Sequence, residues 1–349
     1  MTVYIICQKL SGHGGIETVL SILINQLESK DVSVVLYIRD VPQYMKWLTV
    51  LKQDRLHIIF GNKYNELFIL TRLFASAKND SRFLVASTSR VSIIGLMIRR
   101  ILGRKWLLYH WPHFSLNMSN NYAYLNKCDG VLAISSPIVQ QLKHSGIDSQ
   151  KIHLVYNPSA NEKLSTLKQE TTIKRYIYIG RLEDNQKNVS ELFEALGMIK
   201  SQRGNIILDV YGDGKDRIKY KKLCKKLGLE NIVVWHGWKN NVWDYLKFRP
   251  NALVLPSRFE GFPMILLEAM SRGIPCITSN FLGYSDIIID GINGYHYHLG
   301  SPSELAKILE KFNSQDFPAK TIMNSIEKFN QVQYFARFSK AIRINLSNH

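Results

Sequence analysis

Short apolar runs alternate along the chain with longer stretches of helical period. The first run, Val3 to Cys7, is followed by a helical pattern over about 15–29 and then by a second run from Val32 to Ile38. Further runs stand at Leu56 to Phe60, Phe83 to Ser87, Trp106 to His110, Gly130 to Ile134 and Ile152 to Tyr156. Unbroken apolar runs bounded by turn residues read as strands buried on both faces, and their alternation with helices implies a parallel sheet with crossover helices. The pattern lapses after Asn157-Pro158-Ser159 and resumes with Arg175 to Ile179, Ile206 to Tyr211, Ile232 to His236, Ala252 to Pro256 and Ile274 to Ser279. From Ser303 to Leu346 there is no strand signal, and the segment reads as helices. The prediction is therefore an α/β protein of two doubly wound, Rossmann-like lobes facing a cleft. The N-terminal domain is placed at 1–160, a linker at 161–172 and the second domain at 173–325. A closing helix over 326–349 is expected to pack back toward the first domain.

Composition narrows the partners. The 349 residues are enough for two cores, and 45 Lys and Arg against 28 Asp and Glu give a charge of +17. Such an excess attracts polyanions, whether nucleic acid, anionic lipid or a phosphorylated substrate. Residues 1–170 hold 20 basic and 11 acidic residues and the remainder 25 and 17, so neither half is a basic tail. Four scattered cysteines without a Cys-x-x-Cys pair suit reduced thiols in the cytoplasm, and neither zinc nor disulfides are expected. No apolar stretch approaches the ~18 residues of a membrane span, so any membrane contact is expected to be peripheral.

In open parallel sheets ligands bind beyond the carboxyl ends of the strands, so motifs at strand ends carry the most weight. The richest runs from Leu255-Pro256-Ser257-Arg258-Phe259-Glu260-Gly261-Phe262-Pro263-Met264 through Glu268 to Gly273-Ile274-Pro275. It reads as strand, turn, helix and stop, with Pro263 at the first helical position. The N–H groups opening that helix favour an anion, and Glu268 lies about two turns beyond Glu260. A second cluster, Gly180-Arg181-Leu182-Glu183-Asp184-Asn185-Gln186-Lys187-Asn188, also follows a strand. Arg181 can fork onto phosphate oxygens and Lys187 can add a point charge, together countering the charge that grows on a departing diphosphate. Taken singly, these groups read equally as a helix cap and solvated charges.

Their combination resembles the Glu-x7-Glu signature and Gly-Arg-x5-Lys loop of the family 4 retaining glycosyltransferases, which have the GT-B fold. The resemblance implies that Glu260 contacts a donor sugar, Glu268 the nucleotide ribose, and Arg181 and Lys187 the diphosphate. It brings Gly261, Phe262, Pro263 and Met264 to the nucleotide sugar. The family often has a glycine after the lysine, where this chain has Asn188.

Three further strand ends join the candidate site. Ser11-Gly12-His13-Gly14-Gly15-Ile16-Glu17 offers backbone amides, at Gly14 and Gly15, to a phosphate or the donor. A nicotinamide-dependent oxidoreductase is the rival reading there, but Glu17 occupies the third glycine position of its fingerprint. Trp106-Leu107-Leu108-Tyr109-His110-Trp111-Pro112-His113-Phe114-Ser115 sets two histidines in an aromatic loop suited to sugar recognition. The family places a donor-touching histidine at His110, and the run resembles lipopolysaccharide-core galactosyltransferases, which makes His113 a second candidate. Asp209-Val210-Tyr211-Gly212 and Trp235-His236-Gly237-Trp238 match family strand-end loops, with Gly212 near the nucleotide.

The resemblance implies a hexosyltransferase moving galactose or glucose from a UDP-sugar to a cell-surface glycan or glycolipid, with no metal and no resident cofactor. Basic residues Arg90, Arg99, Arg100, Arg104 and Lys105 bracket the apolar run Val91 to Ile98. This predicts contact of residues 90–105 with an anionic membrane on the cytoplasmic face. Nucleic-acid binding has the charge but no recognition signature, and a non-catalytic Rossmann protein does not account for both glutamates and both cations.

Overall fold

The computed structural model describes residues 1–12, 14–52, 54–86, 88–113, 116, 122–159, 164–170, 172–199 and 205–346. His13 of the glycine turn, Phe114-Ser115 of the aromatic loop and residues 161–163 and 171 of the expected linker lie outside them. The chain divides into two units, one of Met1–Pro158 with Gln331–His349 and one of Ser159–Asn330.

In the first unit β1 (Thr2–Cys7), α1 (Gly15–Ser29), β2 (Ser33–Arg39), β3 (Leu56–Gly61), α2 (Glu66–Ser76), β4 (Arg82–Ala86), α3 (Ser89–Ile101), β5 (Leu107–His110), β6 (Gly130–Ala133), α4 (Ser136–His144) and β7 (Ile152–Leu154) follow one another. The sheet is wholly parallel in the order β3-β2-β1-β4-β5-β6-β7. Its direction reverses between β1 and β4, so right-handed crossovers place α1 on one face and α2, α3 and α4 on the other. Aromatic packing fixes the α2–α3 side: Phe74 of α2 meets Phe83 at 4.6 Å and Trp106 at 5.5 Å between ring centroids. Gly95 of α3 sits so close that a side chain there would strike Phe74 and Leu108.

The second unit contains β8 (Ile173–Ile179), α5 (Asp184–Lys187), α6 (Val189–Ile199), β9 (Asn205–Tyr211), α7 (Arg217–Lys226), β10 (Val233–Gly237), β11 (Ala252–Leu255), α8 (Met264–Ser271), β12 (Cys276–Ser279), β13 (Gly294–Tyr297), α9 (Pro302–Lys311) and α10 (Ala319–Ser325). The sheet order is β10-β9-β8-β11-β12-β13, again parallel, and it reverses between β8 and β11. Strand β13 has no counterpart among the apolar runs read from the sequence, because Gly-Tyr-His-Tyr is neither continuously apolar nor alternating.

Two boundaries differ from the sequence pattern. The described part of the expected linker is bound into the second unit: Ser165 N donates to Arg272 O, and Arg249 N to Lys168 O. The chain returns to the first unit at Gln331, after a last short turn at Glu327–Phe329. There α11 (Gln331–Ile342) packs on β6 and β7. Its Arg337 donates to Val155 O at 3.2 Å, and its Phe338 meets Trp111 edge-on.

Candidate functional site

The reversal between β8 and β11 opens a notch at the carboxyl edge of the second sheet, and the loops leaving these two strands meet there. After β8 the chain turns through Gly180-Arg181-Leu182-Glu183 into the one-turn helix α5, whose last residue is Lys187. Asp184 anchors that turn: its carboxylate accepts from Tyr220, Lys219 and Ser190. Asn188 then takes a left-handed conformation, φ 51° and ψ 38°, which ends α5 and starts α6. Glycine adopts this conformation most easily and asparagine next. Asn188 takes up that conformation without being a glycine, and it adds contacts glycine lacks. Its amide accepts from Arg258 at 2.5 Å and donates to Glu191.

After β11 the turn Ser257–Pro263 brings Glu260 beside Lys187. Lys187 Nζ lies 2.7 Å from Glu260 Oε1, and Ser257 Oγ donates to the same oxygen at 2.6 Å. The pair is buried, with side-chain exposures of 13% and 8%. Both contacts fall on Oε1, so Oε2 is the oxygen turned to other partners. Two braces tie the loops together independently of that ion pair: Arg258 N donates to Gln186 O at 2.8 Å, and Gln186 Nε2 donates to Phe259 O at 3.4 Å; within the first loop the Gln186 side chain accepts from Arg181 at 2.9 Å. Arg181 is otherwise exposed, with Glu183 at 3.9 Å. The chemistry assembled is a cationic loop facing a fixed carboxylate, groups that can meet anionic oxygens and hydroxyl groups side by side.

Helix α8 begins at Met264, with Pro263 as its extended N-cap at ψ 100° and not as its first helical residue. Glu268 stands little more than one turn into the helix. Trp243 Nε1 donates to its Oε2 at 3.1 Å, and Arg272 stacks over the same indole at 4.4 Å. Gly261, Phe262, Pro263 and Met264 are all buried, and Phe262 packs edge-on against Phe329. Gly212 has φ +147°, and a side chain there would collide with the carbonyl of Gly180, so its lack of one lets the β8 and β9 ends close on each other. His236 stacks on Tyr211 at 4.2 Å and meets Asp209 at 2.6 Å; Arg175 holds the other oxygen of Asp209. That network is scaffold.

The remaining candidates belong to the first unit. At the turn after β1, one of the two amides offered to a phosphate is already taken: Gly14 N donates to Glu17 Oε2 at 3.0 Å, and Gly12 N donates to the other carboxylate oxygen at 2.6 Å. The residue that broke the dinucleotide fingerprint serves as an internal anion capping the turn, and Gly15 opens α1 directly behind it. His110 ends β5 buried, with Nδ1 2.9 Å from Ser92 Oγ. Burial lowers its pKa to about 4, so the ring is neutral near pH 7. His113 packs on Trp111 at 4.6 Å, and both its ring nitrogens are without a partner among the described residues. Burial and the neighbouring His110 lower its pKa to about 3.

Gln186, Asn188, Ser257 and Arg258 carry roles that the motif reading did not assign. Asparagine's tolerance of positive φ was the one signal in the sequence for any of them.

A family model described as glycosyl transferases group 1 matches residues 161–328. The lipopolysaccharide 1,6-galactosyltransferase of Salmonella typhimurium is 31% identical, the alignment covering 98% of each chain. That of Escherichia coli K12 is 30% identical, again over 98% of each. The solved apo structure of the lipopolysaccharide outer core galactosyltransferase WaaB superposes with a TM-score of 0.81 at 29% identity, covering 98% of this chain and 99% of that one. The two parallel-sheet units are those of the GT-B fold.

Proposed function

The chain belongs to the group 1 glycosyl transferases, and from that premise we propose that it is a retaining, family 4 hexosyltransferase of the cytoplasm, using UDP-galactose and a lipopolysaccharide-type glycolipid acceptor. Relatives at 30 and 31% identity are lipopolysaccharide 1,6-galactosyltransferases, which puts galactose first and a lipopolysaccharide core first among acceptors. The oxidoreductase and nucleic-acid readings account for none of the paired strand-end groups.

The observation that carries the proposal is the buried Lys187–Glu260 pair, joined across 73 residues of sequence at the switch point of one sheet. An unpaired buried lysine would be costly to keep charged, so Glu260 holds the cation in place until the donor arrives. The diphosphate then shares Lys187 and recruits the exposed Arg181, while Oε2 of Glu260 receives sugar hydroxyls and Glu268 the ribose. Cleavage concentrates charge on the leaving diphosphate, and cations already fixed there stabilise the transition state more than the ground state. The acceptor hydroxyl attacks on the face the diphosphate leaves and passes its proton to that diphosphate, so configuration is retained without a protein nucleophile. His110, neutral and held by Ser92, can offer a hydrogen bond and not a charge. No resident cofactor or metal enters this scheme.

The test is transfer by the purified protein, followed by mass spectrometry with UDP-galactose, UDP-glucose or UDP-N-acetylglucosamine and lipopolysaccharide acceptors, with the anomeric configuration read by NMR. Transfer with retention is expected, and Glu260→Ala or Lys187→Ala should abolish it in folded protein. Wild-type turnover in either variant, or an inverted product, refutes the assigned roles.

A further inference from the structure

We propose that Trp243 is a positioning residue for nucleotide recognition: acting through Glu268, it fixes the carboxylate so that the site takes a ribonucleoside diphosphate in preference to its 2′-deoxy counterpart. The inference rests on the ribose role proposed above for Glu268 and deepens it. A glutamate on a helix surface rotates about several side-chain bonds, and a mobile carboxylate gives up that freedom when a ligand engages it. A carboxylate already held by the protein gives up little, so its hydrogen bonds count in full toward the choice between ligands. Glu268 is held from a separate element. The chain leaves β10 and winds through a short turn at Val242–Tyr245, which brings Trp243 against α8, where the indole N–H donates to Glu268 Oε2 at 3.1 Å. Indole nitrogen only donates and an ionised carboxylate only accepts, so the sense of that bond is fixed. A carboxylate offers roughly four acceptor positions, so one bond orients it without filling it.

The indole is itself locked. Arg272, one helical turn beyond Glu268, stacks its guanidinium over the ring at 4.4 Å, and its Nη1 donates to the Glu268 carbonyl at 2.9 Å. Arg272 is only 9% exposed, so this brace is not a solvated surface charge. Trp243 is thus bonded to one residue of α8 and covered by the residue a turn later, which sets both the plane and the tilt of its ring. A tryptophan kept for packing alone is placed differently: Trp106 is fully buried and gives its N–H to the Phe74 carbonyl. Trp243 is half-buried, and its one polar atom is aimed at a charged group on the helix that opens from the Ser257–Pro263 turn.

Calorimetric titration of the full chain with UDP and with 2′-deoxyuridine diphosphate tests this without an acceptor. Hydrogen bonds to a fixed carboxylate should make wild type prefer UDP by about thirtyfold. Trp243→Phe keeps a ring beneath Arg272 and removes the N–H donor; its preference should fall to about threefold, through weaker UDP binding with deoxynucleotide binding unchanged. Glu268→Ala should abolish the preference, and adding Trp243→Phe to it should change neither affinity, since a residue that acts through Glu268 then has nothing to act through. In NMR spectra of isotope-labelled wild type, the indole N–H resonance that Trp243→Phe deletes should shift with UDP and shift less with the deoxynucleotide. Trp243→Phe with the wild-type preference overturns the inference and leaves the ribose role of Glu268 standing. Equal weakening of both nucleotides by Trp243→Phe, the mark of a packing role, also overturns it. So does a further loss on adding Trp243→Phe to Glu268→Ala, which would put the indole on the nucleotide itself. Equal binding of the two nucleotides by wild type removes the ribose role, and this inference with it.

Discussion

Replacing Lys187 separates the structural and the chemical roles of the ion pair. Exposed ion pairs contribute about 0–1 kcal/mol, but this one is at least 87% shielded on both sides, so the surface value does not apply. Lys187→Ala leaves the Glu260 carboxylate buried with, among the described residues, only Ser257 Oγ donating to it. Removing one partner of a buried pair costs roughly 3–5 kcal/mol. For a unit of this size each kcal/mol moves the melting temperature by about 2–4 °C, so Lys187→Ala should lower the second unit's transition by about 6 °C or more. Adding Glu260→Gln removes the stranded charge and should recover most of that loss. Transfer activity should stay absent in the double variant, because the diphosphate has lost its point charge. Calorimetry and mass-spectrometric transfer assays read the two effects separately. A single variant that melts within about 2 °C of wild type would refute the energetic argument, and a double variant with wild-type turnover would refute the chemical one.

Asn188→Ala places an ordinary residue at φ 51° and breaks the links to Arg258 and Glu191. It should raise the KM for the donor about tenfold, equivalent to about 1.4 kcal/mol, and Asn188→Gly should raise it less, as steady-state kinetics would show. His110 is buried with its pKa lowered to about 4. The unfolded chain therefore takes up a proton near pH 6.5 that the native ring refuses. Stability is full above that pH and falls as pH drops toward 4, by about 1.4 kcal/mol per unit for this residue. Urea titrations at pH 5 and 6 should show that slope reduced in His110→Gln; an unchanged slope contradicts the assignment. Gly212→Ala forces a methyl group onto the Gly180 carbonyl and, on the proposed role of Arg181 and Lys187, should weaken UDP binding, read by calorimetric titration, because it pushes the β8 end and the loop after it away.

The parallel, doubly wound class and most strands were legible because buried parallel strands appear as unbroken apolar runs, a signal that one sequence carries by itself; the order of the strands was not. Lys187 and Glu260 were singled out because each follows such a run, where open sheets bind ligands, and because the spacing around them resembles a family signature. Their pairing was not legible, since it depends on a reversal of strand order that places residues 73 positions apart in contact. The same holds for the Gln186 and Asn188 braces, which meet Arg258 only once β8 and β11 lie side by side. Glu17 shows the opposite failure. A spacing rule counted it as a mismatch, while the fold uses its carboxylate to cap the amides that the glycines expose. Pro263 was misplaced by one residue because helix-start preferences do not distinguish an N-cap from a first helical position when the turn before it is extended.

The central claim is that the loop after β8 grips the donor's diphosphate, and a crystal structure with UDP tests it most directly. The β-phosphate should lie within hydrogen-bond distance of Lys187 Nζ and the Arg181 guanidinium, with the ribose on Glu268. A diphosphate bound elsewhere, with no contact to Arg181 or Lys187, would contradict it.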